Sequence, residues 1–359
     1  MRPGVAGSGH PGLLPAFRQS GRRALGGLGP RAAASGSRAG RLAAVILALT
    51  AVLGTAGCAS GAGHAGSSGS ASGPAFTIDQ DFPDPSVLVQ GGTAYAFATN
   101  TPGFTVPFAT STDMKHWTLS GSDSLPQLPS WARPGRTWAP AVAEVSSGHF
   151  VMYMTAQDAA SGRQCIGTAT STSPADAFHP AGDAPIVCPT EVGGAIDPST
   201  FRDGDGSLHL VWKTDGNCCG LDTWIETAPL SADGLSLTGP PVKLLKQDKA
   251  WEGSLVEAPV LVRRAGEYVL FFSANDYGTD RYAIGTATGS SVSAPFAAAA
   301  KPFLSSASSG GRYIGPGGED VVTFKGHDWF VFHSWDEAYS YRGMIVRPLS
   351  WKGSTPVLG

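Results

Sequence analysis

Asp197-Pro198-Ser199-Thr200 is one of five openings in this chain that read nearly alike. The others are Asp84-Pro85-Ser86-Val87, Ala139-Pro140-Ala141-Val142, Glu257-Ala258-Pro259-Val260 and Gly317-Gly318-Glu319-Asp320-Val321-Val322. Pro85, Pro140, Pro198 and Pro259 stand 55, 58 and 61 residues apart, and the fifth opening follows at a similar distance. Repeats of this length with strand-like content belong to arrays, solenoids or propellers. Behind each opening lies a run of β-branched and aromatic residues, such as Thr93-Ala94-Tyr95-Ala96-Phe97 or Glu267-Tyr268-Val269-Leu270-Phe271-Phe272. Such runs read as buried strands. Turn signals precede several, among them Gln90-Gly91-Gly92 and Lys325-Gly326-His327. A third strand follows in each unit, over Pro107–Ser111, Gln164–Thr170, Asp222–Pro229, Tyr282–Ala287 and Gly343–Leu349, and then a short outer piece. Five units of about four strands predict an all-β fold, a five-bladed β-propeller around a central channel. A β-sandwich would not repeat at this period, and a β-helix repeats at a much shorter one.

Three of the openings begin on a carboxylate: Asp84, Asp197 and Glu257. Each has apolar neighbours and a proline close behind, which fixes the backbone and removes an amide donor. In a propeller, equivalent positions of different blades converge on the axis. Burial there is expected to push the acids upward in pKa. One acid kept protonated beside another kept ionised is what cleavage of a glycosidic bond requires. Asp81, three residues before Asp84, has no counterpart at the other openings and reads as a turn or surface residue.

With Trp138-Ala139-Pro140, Trp212-Lys213-Thr214-Asp215-Gly216-Asn217, Ser273-Ala274-Asn275-Asp276-Tyr277, Gly315-Pro316-Gly317-Gly318 and Arg342 added in this order, the chain resembles glycoside hydrolase family 43 from about Phe82 to Trp351. That family comprises five-bladed propellers acting on arabinose- and xylose-containing polysaccharides. The resemblance implies Asp84 as general base, Glu257 as general acid and Asp197 as the acid that tunes Glu257. It also implies inversion at the anomeric carbon. Trp138 is expected to stack on a sugar face, with propeller packing as the alternative, and Arg342 to bind substrate hydroxyls or orient a carboxylate. No cofactor is expected. Calcium is a weaker expectation, because the family often has a histidine where Gly318 stands and Glu319 and Asp320 follow here instead. His333 reads as a hydrogen-bonded core residue or a substitute ligand. A sugar-binding propeller without catalysis is the alternative. A fructan-acting relative fits less well, since that group has a cysteine where Ala258 stands.

Residues 1–57 read as a secretory signal, with seven arginines in the first 41 residues and an apolar run from Leu42 to Gly57. Ala56-Gly57-Cys58 resembles a lipobox, so Cys58 is the expected lipid anchor, although Thr55 stands where leucine is usual. Residues 58–75 form a Gly/Ser/Ala tether, and 76–359 the propeller. Without those seven arginines the remainder carries 18 basic against 28 acidic side chains, a net charge of −10. This argues against nucleic acid as a partner and leaves membrane contact to the anchor. The expected protein is exported, either lipid-anchored or secreted, and monomeric. Four cysteines remain, and an even count in an exported protein suggests disulfides. Of three pairings, Cys165–Cys188 with a vicinal Cys218–Cys219 is the first choice, and a metal site is the rival.

Overall fold

The structure is a computed structural model and describes residues 75–359. The expected signal, the anchor at Cys58 and nearly all of the tether lie outside the described residues.

Every repeat is an antiparallel sheet whose strands follow chain order from the axis outward. The first blade is β1 (Ser86–Gln90), β2 (Thr93–Phe97), β3 (Phe108–Ser111) and β4 (Thr118–Leu119). The second is β5 (Trp138–Ser146), β6 (His149–Gln157), β7 (Gln164–Ser171) and β8 (His179–Ala181). The third is β9 (Ala195–Arg202), β10 (Leu208–Thr214), β11 (Trp224–Pro229) and β12 (Val242–Lys246). In the fourth, β13 (Val256–Arg264), β14 (Glu267–Ala274) and β15 (Ala283–Gly289) are followed by β16 (Ala297–Ala298) and β17 (Leu304–Ser305), both paired to β15. The fifth is β18 (Ile314–Phe324), β19 (His327–Trp335), β20 (Arg342–Lys352) and β21 (Thr355–Leu358). The all-β five-bladed propeller is therefore the fold. The third strand of blade three starts at Trp224 and not at Asp222, because a short 3-10 turn over Gly216–Cys219 and the loop behind it occupy the intervening residues.

Five apolar clusters hold the blades together, one per junction. Phe97, Phe108, Phe150 and Met152 join blades one and two. Tyr153, Leu208, Leu210 and Trp212 join two and three. Val211, Leu244, Leu270 and Phe272 join three and four, and Phe271, Phe330 and Phe332 join four and five. Val87, Ala96, Val322 and Val331 close the ring between five and one. This explains why second strands such as β6 are buried on both faces and show no polar alternation: each is sandwiched between neighbouring blades. The segment before blade one adds a clasp. Thr77 N–H donates to the Met344 carbonyl at 2.8 Å, and Met344 N–H donates back to Ile78 at 3.1 Å. The start of the chain's fold is thereby tied to β20, its last long strand, and the ring cannot open without breaking that pairing.

The five openings share a backbone feature that the sequence does not display. Asp84, Ala139, Asp197, Ala258 and Gly318 have φ of 53°, 39°, 55°, 50° and 57°. Four of these are not glycine, and the left-handed region costs such residues on the order of 1–3 kcal/mol each. The kink turns the chain from the channel mouth into the inner strand, so the residues around it face the axis.

Candidate active site

Each kinked residue directs its N–H toward the neighbouring blade, and the acceptor occupies an equivalent place there. Ala139 N–H donates to Thr99 Oγ1 at 2.8 Å, Asp197 N–H to Thr155 Oγ1 at 3.1 Å, and Gly318 N–H to Ser273 Oγ at 3.0 Å. Asp84 N–H points at His333 Nδ1, 3.1 Å away. The equivalent place in blade three holds Lys213, which pairs in register with Ile196 as Ser273 pairs with Glu257. An ammonium cannot accept a hydrogen bond. The Ala258 N–H donates to Asp197 Oδ2 instead, at 3.0 Å, and Lys213 is released to donate to Glu257 Oε2 at 2.9 Å. One residue type at one register position thus draws Asp197 toward the Glu257 corner.

All five residues proposed from sequence for the site line one cavity of about 580 Å³: Asp84, Trp138, Asp197, Glu257 and Arg342. Asp81 is not among its lining; its Oδ1 accepts from Arg342 N–H at 3.3 Å. Glu257 sits one residue before its kink, whereas Asp84 and Asp197 are the kinked residues themselves. The apparent equivalence of the three acids therefore holds for two of them.

Asp84 and Asp197 differ in charge state. Burial works against the Asp84 carboxylate, but the Arg342 guanidinium 3.2 Å away, the contact with His333 and the Thr99 hydroxyl at 2.7 Å outweigh it. Asp84 is held well below the usual carboxylate range, contrary to the expectation that burial would raise every acid here. Asp197 follows that expectation: burial and then the charge of Glu257 push it up, with Lys213 only partly opposing. Burial opposes the Lys213 charge too, but Glu257, Asp197 and Asp215 (3.5 Å) together raise its pKa. Tyr282 is pushed well above its ordinary value by burial and the surrounding carboxylates, so its hydroxyl stays protonated and donates to Glu257 Oε1 at 2.8 Å.

Several residues of this site were not singled out from sequence. Thr99 and Thr155 lie in or beside strand-like stretches with nothing local to mark them, and Tyr282, which opens an expected third strand, shows its role only through its contact with Glu257. His333 is fully buried, as expected of a core residue, yet its Nδ1 is also 3.1 Å from Asp84 Oδ1. Arg342 is steered by aromatic faces, its guanidinium lying 5.1 Å from the Tyr277 ring centroid and 5.7 Å from that of Trp335. Gly318 could not be a histidine without rearrangement: an added Cβ would come within 2.6 Å of both Asp84 Oδ1 and His333 Nδ1. Among the described residues no group of three or more His, Cys, Asp or Glu side chains could hold a metal ion. His333 Nε2 is buried without a partner, but a single imidazole does not fit calcium, which takes about six to eight oxygens. The cysteines pair as Cys165–Cys188 and Cys218–Cys219, which removes them as metal ligands.

Comparison with known proteins agrees with this geometry. The sequence profile of glycosyl hydrolases family 43 matches residues 76–356. The chain is 24% identical over 303 residues to an extracellular exo-α-(1→5)-L-arabinofuranosidase of Cellvibrio japonicus, covering 76% of this chain and 84% of the relative. It is 24% identical over 290 residues to an extracellular endo-α-(1→5)-L-arabinanase of Bacillus subtilis, covering 76% and 86%. A solved endo-1,4-β-xylanase of Bacteroides thetaiotaomicron superposes with a TM-score of 0.67 at 26% identity, covering 80% of this chain and 96% of that one.

Proposed function

The chain belongs to glycosyl hydrolase family 43 and is a glycosidase, and from that premise we propose that it cleaves α-L-arabinofuranosyl or β-D-xylosyl linkages by single displacement with inversion. Asp84 takes a proton from a water while that water's lone pair attacks the anomeric carbon. The electrons of the breaking carbon–oxygen bond move onto the leaving oxygen, which takes a proton from Glu257. Solvent then removes the proton from Asp84 and reprotonates Glu257. Inversion calls for the two carboxyl groups to stand about 6.5–9.5 Å apart, with the water between them.

The observation that carries this reading is the opposite charge bias of acids lining one cavity. Asp84 is held ionised by Arg342, as a base must be, while Asp197 and Glu257 sit in a buried pair where Asp197 favours the protonated form. The charge of Glu257 is one cause of the rise at Asp197, so the two carboxyls act on one another through space. Asp197 thus supplies the tuning role. Lys213 and Tyr282 aim Glu257, while Arg342 and Thr99 aim Asp84. Trp138 offers a ring face to the sugar. A sugar-binding propeller without catalysis would need none of this charge separation. The steps draw on protein carboxylates and water, and no metal or organic cofactor is part of the proposal.

Substrates of this class are polymers outside cells. Two relatives are named extracellular, and two disulfides suit an oxidising compartment. Export, with anchoring at Cys58 and action as a monomer, completes the proposal. Hydrolysis of a panel of nitrophenyl pentosides and of arabinan, xylan and arabinoxylan oligomers tests the substrate class. Proton NMR of the first-formed sugar tests the stereochemistry, and a retained anomer overturns the mechanism.

A further inference from the structure

We propose that the Cys218–Cys219 disulfide is a sugar-contacting surface, the apolar wall of the cavity against which a face of the bound pentose packs. This deepens the substrate reading above and rests on it.

The two disulfides of the fold invite different explanations. Cys165–Cys188 spans 23 residues, and Cys165 is fully buried in the cluster between blades one and two. It restrains the unfolded chain, the usual way a disulfide stabilises. Cys218–Cys219 joins neighbours in sequence. It closes no loop of chain, so almost no unfolded-state entropy is removed. Nor does it sit in a core: Cys218 is exposed, and it lines the cavity. What such a bridge creates is a small stiff ring with two polarisable sulfurs and no conventional hydrogen-bond donor on its side chains.

The ring is positioned for contact. It ends the 3-10 turn of Gly216–Cys219, which Gly220 terminates at φ 70°. Arg163, from the connection between β6 and β7, holds it from the neighbouring blade, with Nη1 2.6 Å from Cys219 Sγ and 3.4 Å from Cys218 Sγ. Arg163 does not line the cavity, so it holds the ring without occupying the space in front of it. Leu255, Tyr277, Trp138 and Ile196 are among the other apolar residues of the lining, and Asp215 and Asn217 add polar groups to it. A pentose has the matching character, with hydroxyls around its edge and C–H bonds on a face.

The test opens the ring in the intact protein. The enzyme is assayed on nitrophenyl α-L-arabinofuranoside and β-D-xyloside before and after treatment with a phosphine reductant. Alkylation and intact mass spectrometry confirm that only the exposed pair is reduced. We expect KM to rise about ten-fold, the size of one lost apolar contact, with kcat changed less than about two-fold. The double variant C218S/C219S should show the same raised KM without reductant, should not respond to it, and should melt within a few degrees of the parent. An unchanged KM in both the reduced enzyme and the variant overturns the proposal. So does a joint fall of kcat and melting temperature, which marks a structural staple. If the oxidised enzyme hydrolyses neither glycoside nor any oligomer of the panel, the substrate reading fails and this inference falls with it.

Discussion

The corner around Asp84 and the corner around Glu257 face one cavity and are built from the same repeated backbone, yet they hold their carboxyls in different ways. Asp84 is the kinked residue of its blade. It receives an arginine that comes from β20, across the junction where the ring closes, and a threonine from its own blade. Glu257 stands one place before its kink and receives a buried lysine and a tyrosine. Its neighbour Asp197 completes a cluster in which a proton is retained. A repeat can thus supply a fivefold frame, while single substitutions at equivalent register positions hold a carboxyl ionised on one side of the cleft and favour a protonated one on the other.

The comparison breaks most severely at Asp84. Asp84→Asn leaves the shape intact and removes the proton acceptor, so kcat should fall about 10,000-fold, the upper end for a general base. The loss should be the same on an aryl glycoside and on an oligosaccharide, because a better leaving group does not help the attacking water. Glu257→Gln should cost about 1,000-fold on an oligosaccharide and much less on a nitrophenyl glycoside, whose leaving group departs without protonation. Equal losses on both substrates would contradict the division of labour between the corners.

Lys213→Met probes the cluster from its cationic side. Without the ammonium, Glu257 and Asp215 are left as buried carboxyls, and the destabilisation at neutral pH should be about 3 kcal/mol. Protonation relieves them, so urea unfolding should show the deficit shrinking as pH falls. The alkaline limb of kcat/KM should also move upward, since Lys213 holds the Asp197 pKa down and its removal lets Asp197 keep its proton longer. A variant whose activity limb stays in place would show that the activity does not depend on the Asp197 proton that Lys213 influences. In the parent enzyme, Asp84 stays ionised as pH falls through the usual carboxylate range, so an acid limb set by the base should lie well below that range.

The smallest effect is expected at Glu319, which adjoins Gly318 at the fifth opening. Burial pushes it up to about 8, against a hydrogen bond from Ser273 at 2.6 Å. A buried acid with a raised pKa binds its proton more tightly folded than unfolded. It adds stability that is present below its ordinary pKa and is lost as pH climbs to the raised one. The melting temperature should decline between about pH 5 and 8, and Glu319→Gln should flatten that decline without changing kcat. A parallel decline in both proteins would remove Glu319 as its cause.

The openings at Pro85, Pro140, Pro198 and Pro259 made the propeller legible, because a strand-rich period near 60 residues admits few folds. The site was legible where an unusual residue interrupts a repeated frame: Asp84, Asp197, Glu257, Trp138 and Arg342 all reach the cavity. What escaped notice, for a physical reason, was the cross-blade role of the helpers. Thr99, Thr155, Lys213, Ser273 and His333 lie at corresponding strand positions, but that correspondence is a matter of pairing register and neighbouring blades. No local pattern marks a threonine in one strand as the counterpart of a lysine in another. The direction of the Asp84 shift escaped for the same reason, since the guanidinium that depresses it lies 258 residues away in sequence.

The repeat, the strands and the residue types at each blade's mouth follow from the order of the amino acids, because hydrophobic pattern and turn chemistry act over short stretches of chain. Which carboxyl loses its proton and which region keeps one is set by the folded ring, because charge and burial act through space and depend on what neighbouring blades bring within a few ångströms.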